Sequence, residues 1–134
     1  MRRFIDDERG MVSAQLALVM PVLLLILLTG LQFALHLHAT HIAQSIAVQA
    51  LTAARAAGGT AADGVTEGQR LLTNFGTSSL REPVVLAERG EERATVSVTG
   101  VALRALPLWN IAIHAEASGP VERLTSPEET GGAP

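Results

Sequence analysis

Four histidines and thirteen carboxylates are the side chains of this 134-residue chain best suited to hold a metal or move a proton. Three of them, His36, His38 and His41, stand close together. A zinc-like cation needs three or four converging ligands. If this stretch is helical, only His38 and His41 share a face, at i and i+3, and neither a carboxylate nor a third ligand stands beside them. They read as polar caps on the long apolar run that precedes them. The acidic side chains Glu82, Glu88 and Glu116 are scattered and belong on solvated faces. There is no Ser-His-Asp set, no pair of carboxylates in an apolar frame and no glycine-rich phosphate loop. With no cysteine, disulfides and thiolate metal sites are excluded, while the compartment stays open. The expectation is a protein that is not an enzyme and holds no cofactor or metal. The net charge of -3 is spread along the chain without a basic face, so no nucleic-acid partner is expected.

The elements that frame these residues begin with a stretch from Met11 to Leu35 that carries no charge. At about 1.5 Å per residue, roughly 20 residues cross the hydrocarbon core of a bilayer, so this run is long enough to span it with some tilt. Each Leu, Ile, Val or Phe favours insertion by about 0.3 to 0.6 kcal/mol, a sum of roughly 4 to 7 kcal/mol before the costs of Gln15, Pro21 and Gln32. A soluble domain this small could hardly wrap a helix that is apolar on every face. Arg2, Arg3 and Arg9 precede the run and no basic residue follows until Arg55, which puts the N-terminus in the cytoplasm and the rest outside. The run is too long for an ordinary signal peptide, and no Ala-x-Ala site follows it. All ten basic residues are arginine, as in a GC-rich, bacterial genome.

Arg9-Gly10, Val12 and Gln15-Leu16-Ala17-Leu18-Val19-Met20-Pro21, followed by a leucine-rich run, resemble the TadE-like family of pilus-assembly pseudopilins. The resemblance covers roughly residues 8 to 57. It implies a processing site at Arg9, Gly10 and Met11, where a membrane prepilin peptidase cuts after Gly10 and leaves the apolar segment as the mature N-terminus. A small residue there lets the scissile bond approach the catalytic carboxylates. The family usually carries Glu where this chain has Gln15; a carboxylate in lipid can pair with the N-terminal ammonium of a neighbouring subunit, and an amide cannot. Gln15 still offers a hydrogen bond at lower desolvation cost, so insertion is easier and electrostatic docking weaker. Pro21 removes one backbone hydrogen bond, so a bend is expected over Ala17 to Pro21.

Beyond Leu35, the residues Leu35, Ala39, Ile42, Ile46, Ala50, Ala53 and Ala57 recur at steps of three and four, so the helix continues to Gly58-Gly59. Its small-residue stripe is covered either by a partner helix or by the chain's own outer domain. Thr60 or Asp63 caps a short second helix that closes at Gly76. Strands are expected at Pro83 to Ala87, Ala94 to Ala102 and Ile111 to Ala117, with Glu88 to Glu92 as the first turn. Leu106, Leu108 and Trp109 fall in the linking loop, with Trp109 as a core or sheet-edge anchor.

The expected architecture is thus α+β and pilin-like: a long N-terminal transmembrane helix, a short helix and a small antiparallel sheet. Its parts are a leader over 1–10, a span over 11–35, a helical continuation over 36–59, an extracytoplasmic domain over 60–118 and a disordered tail over 119–134. The expected partners are the lipid bilayer, a prepilin peptidase and other pilin-like subunits or pilus-assembly proteins, with oligomerisation through the N-terminal helix. The competing functions are an uncleaved single-pass accessory protein that binds a secretion-system or cell-envelope partner, and an enzyme on a tether, for which no reactive constellation is found.

Overall fold

The computed structural model of the chain describes residues 3–107 and 109–125, with side chains from Gly10 onward. Arg2, Leu108 and segment 126–134 lie outside the described residues, as do the side chains of Arg3 and Arg9; most of the expected tail is therefore not described. The first helix, α1, runs from Arg3 to Arg55 without interruption, which at about 1.5 Å per residue makes a rod of about 80 Å. It passes through Pro21 as helix. It ends two residues before the expected Ala57, because Gly58 turns the chain at φ +77° and the Gly59 amide donates to the Ala56 carbonyl at 2.8 Å. The Arg89 guanidinium, arriving from the sheet, donates to the Ala54 and Ala56 carbonyls at the helix end, the latter shared with the Gly59 amide.

The second helix, α2, covers Ala61–Leu71 and starts with a capping box in which Thr60 and Asp63 exchange side-chain-to-backbone hydrogen bonds. One π-helical turn, Leu72–Gly76, continues it to the expected closing glycine. Three strands follow, β1 at Leu80–Arg89, β2 at Arg93–Ala102 and β3 at Ala112–Pro120. They form an antiparallel sheet in the order β1-β2-β3. The architecture is α+β, with a long apolar helix, a short helix and a small sheet.

Several expected boundaries move. β1 is twice as long as the expected Pro83 to Ala87 because a bulge between Arg81 and Val84 absorbs Glu82 at φ +49° and Pro83, which has no amide to give to a ladder. β3 begins at Ala112, after Ile111, and runs to Pro120, inside the segment expected to be a tail. The next residues are also held: Val121 donates to the Glu92 carbonyl and Glu122 to the Arg55 carbonyl.

The core lies between one face of the sheet and the outer half of α1. Val85, Ala94, Val96, Val98, Ile113, Ala115 and Ala117 point inward from the strands. They meet Ala39, Ala43, Ile46, Ala47, Ala50, Leu51 and Ala54, all buried on α1. The stripe is thus covered by the chain's own domain and leaves no room there for a partner helix. It is also rotated from the expected one: Ala43, Ala47 and Ala54 are buried, whereas Ala57 is exposed. The small side chains let the sheet approach closely, and α2 uses the same device. A Cβ on Gly64 would lie 2.8 Å from the Ala54 Cβ, and one on Gly68 would lie 2.7 Å from a Val85 methyl.

Candidate functional site

The residues expected to carry function lie along the inner part of α1, separated along one helix and not gathered in a pocket. From Gly10 to Leu31 every residue is exposed except Leu28, which is half-buried. Gly10 is exposed and has open space around it: a Cβ built there meets nothing within 4 Å. Met11, Gly10 and the Arg9 backbone all belong to the helix, so the Gly10-Met11 peptide is part of a hydrogen-bonded turn. Gln15, with Val12, Leu16 and Val19, lines a shallow groove of about 230 Å³ on the helix flank. Among the described residues, no protein group hydrogen-bonds to the Gln15 amide. Pro21 lies further along the helix, and lacking an amide it leaves the Ala17 carbonyl without its usual donor.

The first buried residue is Gln32, which the charge-free run assigns to the span. Its side chain is 1% exposed and clamps a loop of the outer domain: Oε1 accepts from the Ala105 amide at 2.7 Å and the Leu106 amide at 3.4 Å, while Nε2 donates to the Leu103 carbonyl at 3.3 Å. An amide suits this place because it has a donor and an acceptor and carries no charge to desolvate. The bare part of the helix therefore ends at Leu31, four residues before the expected Leu35. Gln32 was legible only as a polar interruption. Its partners lie more than seventy positions away.

Around the histidines, the His36 Nδ1 atom is buried without a hydrogen bond among the described residues, and His38 and His41 are exposed. Among the described residues, no three of the His, Asp and Glu side chains come together as a metal site. Trp109 is half-exposed, 50%, and is no core anchor. Two carboxyls on α2 are shifted by their hydrogen-bond partners. The Thr60 hydroxyl and amide beside Asp63 hold its carboxyl below the usual range. The Arg70 guanidinium does the same for Glu67 through hydrogen bonds across one turn.

An exposed apolar helix joined to a small α+β domain is the geometry against which the chain can be compared with known proteins. Residues 10–58 match the family model of TadE-like proteins. Over these residues the first helix is similar to TadE-like proteins. The matched stretch opens on Gly10 and closes at Gly58, the residue that ends the rod. It takes in the bare segment, Gln15, Pro21, Gln32 and the stripe beneath the sheet; α2 and the sheet lie outside it. The TadE-like match points to tight-adherence pilus assembly. No curated protein and no solved structure matches the chain. The helix is long and apolar enough to cross a membrane, and its most apolar window is not buried by the rest of the chain.

Proposed function

We propose that this protein is a minor pilin-like subunit, a pseudopilin, of a tight-adherence type IV pilus or a related secretion filament. The observation that carries the reading is the division of α1 into a bare inner part, Gly10 to Leu31, and an outer part roofed by the sheet. About twenty residues of bare helix reach roughly 30 Å, the thickness of a bilayer core. An apolar surface of that size is not left in water. It faces lipid while the subunit waits in the membrane, and it faces other subunits once the leader is gone. The arginines before the span keep the leader in the cytoplasm and the α+β domain outside.

In this reading the chain performs no chemistry of its own and is the substrate of a prepilin peptidase. Cleavage falls between Gly10 and Met11. The helical turn there must open to reach a catalytic site, and glycine makes that easier by about 1 kcal/mol relative to alanine. Gln15, four residues into the mature helix, supports docking through hydrogen bonds where an ion pair would be stronger.

The test is intact mass and N-terminal sequencing of the protein from membranes, with and without the peptidase. A mature chain that begins at Met11 only when the peptidase is present supports the reading. Retention of residues 1–10 under both conditions overturns it in favour of a second reading, a permanently anchored accessory protein that binds a secretion-system or cell-envelope partner. The absence of a carboxylate at Gln15 is what favours that alternative.

A further inference from the structure

The loop clamped by Gln32 carries a feature that neither processing nor subunit packing uses. Closed by the Ala102 amide donating to the Ile111 carbonyl at 3.1 Å, it turns back beside α1 where the bare helix ends. Leu28, on the same face and about 6 Å nearer the N-terminus, is the one half-covered residue of the bare stretch. The loop presents Trp109, half-exposed, and Arg104, exposed. Beside it, at the start of β1, lies a shallow cavity of about 180 Å³ lined by Arg81, Glu82, Val101, Arg104 and Asn110. Arg81 and Val101 are register partners, and the Arg104 Nη1 atom donates to the Asn110 Oδ1 atom at 3.2 Å. Two guanidinium groups against one carboxylate leave a net positive site.

We propose that this end of the domain is a lipid-headgroup site, in which Arg81 and Arg104 take the phosphate of an acidic phospholipid and Trp109 enters the interfacial layer of the same bilayer. The inference rests on the membrane-spanning reading of α1. If hydrocarbon covers the helix up to Leu31, the headgroup layer occupies the next 5 to 7 Å or so, the height at which Gln32 holds the loop. Tryptophan favours that layer because its ring is apolar and its N–H is not. Guanidinium matches phosphate oxygens in a planar, two-pronged contact that ammonium lacks. The clamp by Gln32 fixes the depth of the loop, so the domain stands on the membrane in one orientation.

Trp109 is the only tryptophan in the chain, so its emission reports this site alone. The full chain is reconstituted in phosphatidylcholine vesicles containing a small fraction of phosphatidylglycerol. Either lipid carries bromine near the headgroup end of its acyl chains. Resistance to alkaline carbonate extraction first establishes that the chain is embedded; release at that step counts against the spanning reading and, with it, the inference. In embedded protein, brominated phosphatidylglycerol is expected to quench Trp109 at about a fivefold lower mole fraction than brominated phosphatidylcholine, the preference that one arginine near an anionic lipid confers. The double variant Arg81→Gln with Arg104→Gln should lose that preference while quenching by brominated phosphatidylcholine persists. Equal quenching by both lipids in the unaltered protein, or none by either, overturns the proposal. So does abolition of the preference by inorganic phosphate at constant ionic strength, which would assign the site to a free anion.

Discussion

Gln32 is where a single side chain decides how the domain meets its helix. Its amide satisfies two backbone donors and one acceptor in a place from which water is excluded, so replacing it leaves those groups unpaired. Gln32→Ala should cost about 1 to 3 kcal/mol, read as a lower thermal midpoint in detergent, and should speed hydrogen exchange at the Ala105 and Leu106 amides. Unchanged exchange there would mean that the loop is held by something else. Gln15 is the opposite case, exposed and without a protein partner among the described residues. If its role is docking, Gln15→Glu should raise incorporation of the processed subunit into filaments, since a carboxylate can pair with a neighbour's terminal ammonium. Unaltered incorporation would argue that position 15 is not an assembly contact.

Among the elements, α2 is fastened at its start by charge and along its length by close approach. The folded fastening of Asp63 to Thr60 lowers the carboxyl's pKa, so its contribution is complete above the ordinary value of 3.8 and fades as pH falls through the still lower folded value. Exchange of the Thr60 amide should therefore stay slow from neutral pH down to about pH 4 and its protection should drop below that, relative to Asp63→Asn, in which the pH dependence is absent. Gly64 faces the side of α1 where alanine already fills the space. Gly64→Ala gains about 1 kcal/mol of helix propensity. It also presses a methyl onto the Ala54 Cβ and the Ala87 side chain, a cost of about 1 to 3 kcal/mol. The clash should win, because the nearest atom belongs to a packed helix and cannot swing away; a rise in thermal midpoint would contradict this. These contacts also explain what could be read in advance. The apolar run and the alternating Val96 and Val98 announce a helix and a strand by period alone. The rotated stripe did not announce itself, since Ala43, Ala47 and Ala54 differ too little from their neighbours in hydropathy to mark a face. The extra length of β1 depended on a bulge at Glu82, a matter of pairing with β2 and not of local preference.

At the scale of the whole molecule, the sheet roofs one half of a rod and leaves the other half uncovered, and the functional account follows from that asymmetry. The uncovered half was legible because no polar residue competes with it between Gln15 and Thr29. Its end at Leu31 was not, because it depends on a clamp between residues far apart in sequence. On the proposed function, the bare helix, and not the outer domain, is what the processed protein offers to neighbouring subunits. The decisive measurement places a photo-crosslinking amino acid at Val19, on the groove beside Gln15, and separately at Ser97 on the outward face of the sheet, in cells that assemble the filament. A crosslink is expected from position 19 to another pilin-like subunit, dependent on the peptidase, with little or none from position 97. Crosslinks to such subunits from position 97 alone, with position 19 reaching only lipid, would contradict it.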